Sequence, residues 1–157
     1  MEALRQHVRN LLVSKDAHAD FEAAIAGLPA KLRGVQPRGA EHSAWQIVEH
    51  LRIGQWDILE FSRDPKHVSP KWPAGYWPKT AAPPSPAAWN QAIKSFRSDL
   101  KAMQDLVADK KNDLFAPIPH GSGQTLLREA LVLADHNAYH VGQLVLLRRL
   151  LGAWEGS

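Results

Sequence analysis

Apolar residues recur at three- and four-residue steps along four stretches of this chain, separated by segments rich in proline, glycine and charge. The first stretch predicts a helix over residues 2–28. Its stripe is Leu4, Val8, Leu11, Leu12, Phe21, Ile25 and Leu28, and Gly27 and Pro29 mark its end. A polar connector, 29–42, follows. The second helix starts behind Ser43, a residue type that accepts a bond from an orphan first-turn amide. It runs to about Arg63 through Trp45, Ile47, Val48, Leu51, Trp56, Ile58, Leu59 and Phe61. Asp64-Pro65 closes it, because a residue before proline avoids the helical region. The third helix opens at Ser85-Pro86, a cap followed by proline at the first helical position, and ends near Asp109. The fourth begins at Gln124 or Thr125, contains no proline up to Leu151, and stops at Gly152.

Four amphipathic helices without a convincing strand predict an all-α fold, a four-helix bundle. The connection between helices two and three, residues 65–85, is long enough to cross over. Six prolines there exclude a regular helix, while Trp72, Tyr76 and Trp77 predict a segment pinned by buried aromatics. It reads equally as a packed crossover or as a lid over a pocket. Residues 112–123 form a second loop, broken by Pro117, Pro119, Gly121 and Gly123.

The fourth helix carries the candidate chemistry. His136 and His140 are four residues apart, so a helix stacks both imidazoles on one face with Cβ atoms about 5–6 Å apart. That suits two nitrogens binding one transition metal. His50, inside the second helix beside Ile47, Leu51 and Gly54, is the candidate third ligand. Three neutral imidazoles would leave a position open for water or substrate. His7 and His18 are eleven residues apart on the first predicted helix and read as structural or exposed. His120 is sixteen residues before His136, roughly 24 Å away even if helical, and makes a poor fourth ligand. A carboxylate is expected on the far nitrogen of each liganding imidazole. Glu49 points away from His50, and Asp57 and Glu129 are each two turns from a histidine. Gln143 either reaches the open side of the site or makes a capping or interhelical bond.

Composition narrows the chemistry. The 157 residues suit one domain, and an apolar content of 45% allows a sizeable core. The chain has no cysteine, which removes disulfides, thiolate ligands and cysteine nucleophiles, and agrees with a cytoplasmic location. The start of the chain reads as an amphipathic run rather than a signal peptide. No stretch is apolar for long enough to span a bilayer. The net charge is +3, and neither Lys110-Lys111 nor Arg148-Arg149 forms a block that signals nucleic-acid binding. Both pairs read as solvated.

The second-helix run Trp45-Gln46-Ile47-Val48-Glu49-His50-Leu51 and the fourth-helix motif His136-Asn137-Ala138-Tyr139-His140-Val141-Gly142-Gln143, followed by Leu146 to Gly152, resemble the DinB/YfiT-like superfamily. The resemblance spans nearly the whole chain and implies a single DinB-like domain over 1–157. It implies His50, His136 and His140 as ligands of a divalent metal, zinc or nickel. It also implies a homodimer, with helices one and three carrying large apolar residues, and a small-molecule substrate. Relatives include thiol-dependent transferases, a thiol-dependent isomerase and a proposed hydrolase. With no cysteine in this chain, any thiolate must come from a substrate or cofactor. The rival expectation is a non-catalytic metal- or ligand-binding bundle acting as a dimer.

Overall fold

The structure is a computed structural model that describes residues 1–13 and 16–154. Those residues are all-helical: α1 (Glu2–Val13), α2 (Phe21–Ile25), α3 (Ala44–Arg63), α4 (Pro86–Ala108) and α5 (Leu126–Leu150), with short 3-10 turns at Ala30–Leu32 and Ala74–Tyr76. α3 packs along α4 and α5, and α1 packs against the same two helices.

The caps form where the sequence places them. Ser43 and Gln46 make a reciprocal capping box, with Gln46 N donating to Ser43 Oγ at 3.2 Å and Ser43 N to Gln46 Oε1 at 2.9 Å. Ser85 caps α4 ahead of Pro86, and Thr125 caps α5 through the Arg128 amide. At the end of α5, Gly152 has φ +63°, the left-handed conformation that glycine adopts freely. Gly152 N then reaches Arg149 O at 3.1 Å and Ala153 N reaches Arg148 O at 2.8 Å. These are the two bonds of a Schellman ending.

The first predicted helix is not continuous. α1 stops at Val13, residues 14–15 of the prediction lie outside the described residues, and 16–20 are non-helical. Between Val13 and Phe21 no large apolar residue can hold a helical turn against the core. Asp20 instead adopts an extended backbone and caps α2, accepting Ala23 N at 2.8 Å. His18 therefore sits outside any helix and is exposed, its Nδ1 2.9 Å from Ala19 O.

Arg148 is not solvated as its sequence neighbourhood suggested. It is 5% exposed, and its guanidinium donates to Ala24 O at 2.7 Å and Ala153 O at 2.9 Å. It thereby ties the end of α2 to the turn after α5. Arg149 is exposed, as expected.

The core divides into two apolar clusters. One gathers Trp45, Val48, Leu51, Trp89, Phe96, Val141 and Leu144. The other gathers Leu59, Met103, Val107, Leu114, Ala130 and Leu133. Between these clusters α3 and α5 bury polar side chains, Gln55, Asn137 and His140. Gln55 is fully buried there, donating to Phe96 O at 2.6 Å and accepting Asn137 Nδ2 at 2.9 Å. A buried amide of this kind is tolerated only when bonded, so the chain stitches α3, α4 and α5 together at this level. The candidate histidines stand at the same level.

Candidate metal centre

His50 projects from α3, and His136 and His140 project from α5 one turn apart. The three imidazoles meet. His50 Nε2 lies 3.0 Å from His140 Nε2 and 3.1 Å from His136 Nε2. Among the described residues, this is the group of side chains able to hold a metal ion. Three nitrogens bound tetrahedrally at about 2.0–2.1 Å would stand roughly 3.3–3.4 Å apart. The observed separations differ from that by only a few tenths of an ångström.

Hydrogen bonds fix the tautomers of two rings. The peptide carbonyl of Tyr76 accepts from His50 Nδ1 at 2.9 Å. The amide oxygen of Gln143 accepts from His140 Nδ1 at 2.7 Å. Neither oxygen can donate, so each Nδ1 carries the proton and each Nε2 presents a lone pair. Burial pushes all three imidazoles toward the neutral form, His136 and His140 down to about 4 each, and the adjacent imidazoles add to the effect. Facing lone pairs repel unless a cation sits between them, so the donor set fits a bound divalent metal. The His136 Nδ1 is also buried, without a hydrogen-bond partner among the described residues.

The neighbours of the site are small or flat where they must be. A Cβ on Gly54 would lie 2.9 Å from His136 Cε1 and 3.3 Å from its Nε2. Glycine inside a helix costs about 1 kcal/mol relative to alanine. Here it makes the room that the imidazole occupies. Trp77 lies flat on His50, with ring centroids 3.9 Å apart and planes 2° from parallel. Its other face carries His42 at 3.8 Å.

The proline-rich segment is thus packed on the site rather than free of it. The Ser43 hydroxyl donates to Ala81 O as well, holding the segment to the start of α3. One expectation fails: Trp72 is 73% exposed and lies against Tyr76 rather than in the core. Of the three aromatics, Tyr76 and Trp77 are half-buried.

The expected carboxylate partners are also absent from the imidazoles. Glu49 is held by Arg52 at 2.8 and 2.9 Å, and Glu129, though buried, is held by Arg128 at 2.5 Å. Asp57 bonds to His67 and Tyr76. Neutral oxygens from Tyr76 and Gln143 take the place of carboxylates, and among the described residues Gln143 makes neither a cap nor an interhelical bond. His120 bonds the Phe61 carbonyl at 2.6 Å and takes no part in the site. Sequence reasoning missed the Tyr76 carbonyl, the Trp77 stack and the Gln55–Asn137 bond. The aromatics of the proline-rich segment signalled the Trp77 stack alone.

The sequence profile of the DinB superfamily matches residues 15–144. The chain belongs to that superfamily. No curated protein and no solved structure matches it.

Proposed function

We propose that this chain is a cytoplasmic, metal-dependent enzyme, a thiol-using transferase or a hydrolase, with zinc or nickel held by His50, His136 and His140. We read the whole chain as one domain, a four-helix bundle of α1, α3, α4 and α5 with residues 65–85 as its crossover. The observation that carries the enzyme reading is the convergence of three imidazole nitrogens supplied by three side chains, one fewer than a closed tetrahedral site needs. When bound, such a metal supplies a Lewis acid that turns water or a thiol into a nucleophile near neutral pH. The chain's own part is to hold the rings, keep the protons of His50 and His140 on Nδ1, and cover His50 with Trp77. A cavity of about 290 Å³, lined by His42, Ile47, Gln143, Leu146, Leu147 and Leu150, suits a small substrate with an apolar body.

Cobalt tests the reading. Chelator-stripped protein is expected to take up one Co²⁺ with the intense visible bands of a four- or five-coordinate ion, and a low-molecular-weight thiol should shift those bands. A spectrum that saturates and ignores added thiol, azide and imidazole would favour the non-catalytic bundle.

We also propose a homodimer. Large apolar residues of α1 and α4 lie mostly in the core, whereas α5 leaves Val132, Tyr139, Leu146 and Leu150 exposed. Asp135 and Arg149, both exposed, sit seven residues either side of Gly142, where an added Cβ would meet nothing. Antiparallel pairing of two α5 helices about Gly142 would set each Asp135 against Arg149 of the partner subunit. Light scattering should give twice the 17.5 kDa chain mass at micromolar concentration. Arg149→Asp should reduce it to the single mass, and adding Asp135→Arg should restore the double mass. A wild-type monomer contradicts the pairing.

No helix among the described residues is long and apolar enough to cross a membrane.

A further inference from the structure

We infer that Asp57 is a positioning residue for His50, acting through Tyr76. Asp57 lies seven residues after His50, two turns along the same face of α3 and roughly 10 Å up its axis. That is too far to touch the imidazole. The segment after α3 closes the distance. Beyond Asp64-Pro65 the chain turns back along the helix, and two of its side chains bond this one carboxylate. His67 Nε2 lies 2.7 Å from Asp57 Oδ1, and the Tyr76 hydroxyl donates to Asp57 Oδ2 at 2.6 Å. Tyr76 therefore gives its side chain to Asp57 and its backbone carbonyl to His50 Nδ1. The next residue, Trp77, lies on the His50 ring.

Trp77, stacked on His50 and His42, fixes the chain just after that carbonyl. The local chain is a single 3-10 turn closed by Tyr76 N on Pro73 O at 3.1 Å and by Gly75 N on Lys71 O at 2.7 Å. These bonds shape the turn but do not attach it to α3. Ser43 holds the segment farther along, at Ala81, and the turn itself is tied to α3 by the side-chain bonds to Asp57, which is mostly buried with His67, the two side chains being 13% and 7% exposed. A charge-assisted bond in a partly desolvated setting is stronger than a neutral one. The carboxylate expected on the histidine is thus present in the fold, but displaced. It grips the segment that supplies the histidine's acceptor.

The inference concerns the ring's orientation and tautomer; only its consequence for affinity rests on the metal reading above. The experiment has two arms on Asp57→Leu, Tyr76→Phe and Asp57→Asn. The first measures imidazole nitrogen shifts in metal-free protein. Wild type should show His50 as one Nδ1–H tautomer, and Asp57→Leu and Tyr76→Phe should show it mixed. Asp57→Asn keeps an oxygen for the Tyr76 hydroxyl and should retain the single tautomer. The second arm measures Zn²⁺ affinity against a competing chelator. Loss of a group that orients a ligand commonly costs 10–100-fold, and a loss of about that size is expected for the Leu and Phe variants. Asp57→Asn should stay within about threefold, by the same argument that the acceptor is kept.

A merely structural role would lower the unfolding midpoint and leave the tautomer alone. If Asp57→Leu does not fold, Tyr76→Phe, which removes one oxygen, carries the test. An unchanged tautomer and unchanged affinity in folded Tyr76→Phe overturns the inference while leaving the metal site intact. A wild-type protein that binds no zinc overturns the metal reading instead, and the tautomer arm still decides the role of Asp57.

Discussion

His140→Ala is expected to lose metal affinity by more than about 100-fold while keeping its helices. Disturbing a group that merely orients a ligand already costs 10–100-fold. Removing the ligand leaves His50 on α3 and His136 on α5, two nitrogens from two elements. The fold should survive because its cohesion lies in the two apolar clusters on either side of the site. Alanine is also the best helix former, so α5 loses no intrinsic preference.

The same substitution should change the acid sensitivity of the metal-free protein. His140 is lowered from 6.5 to about 4 in the folded chain, chiefly by burial and then by His136. Between those values the unfolded chain binds the proton and the folded chain resists it. Stability from this group is therefore full above about pH 6.5 and is lost as pH falls toward 4. Urea midpoints at pH 7 and pH 5 should draw closer together in His140→Ala than in wild type. Metal content by mass spectrometry and helicity by circular dichroism complete the comparison. Folded protein with stoichiometric metal would mean that His140 is not a ligand. Joint loss of metal and helicity would make the metal structural.

What the sequence made legible was the local information. The i, i+4 pair of His136 and His140 follows from helical geometry alone, and the apolar residues flanking His50 announce a buried helix. Ser43, Ser85, Thr125 and Gly152 act within a few residues of themselves, so their roles could be read directly. The break after Val13 was also written there, as an eight-residue gap between Leu12 and Phe21 in the large core residues, although Val13 inside it masks the gap.

The rest depends on which segments meet in space. Arg148 sits beside Arg149 in a basic last turn, and nothing local says that one of them reaches the carbonyls of α2. Asp57 looks two turns too distant to matter until the chain beyond Pro65 doubles back to it. The His50 acceptor is a backbone carbonyl, which every residue possesses, so no residue type could have marked it. Gly54 was visible as a glycine in a helix, but its reason is an imidazole from α5.

The largest stability loss is expected at Arg5, far from the site. Arg5 lies in the first turn of α1, where a cation is unfavourable to its own helix. Its guanidinium is nevertheless buried, 6% exposed, at the other end of a different helix. Nη1 donates to Val107 O at 2.6 Å and Asp109 O at 3.1 Å, and Nη2 to Asn112 O at 2.6 Å. These carbonyls belong to the last turn of α4 and the loop after it, where helical carbonyls lack intrahelical partners and carry partial negative charge. One side chain thereby caps α4 and ties α1, twelve residues long and marginal alone, to the core. Arg5→Met keeps the apolar stem and removes every donor. Bonds to charged groups contribute about 1.5–3 kcal/mol each and are not additive here, so a loss of about 3 kcal/mol is expected. Arg5→Lys, with a single ammonium, should fall between the two. The nearby Glu2–Lys110 pair, 3.0 Å apart but exposed on both sides, provides the contrast. Glu2→Ala should leave the urea midpoint unchanged, because solvent screens such pairs. If Arg5→Met shifts the midpoint no more than Glu2→Ala does, the guanidinium is not what holds α1 to the end of α4.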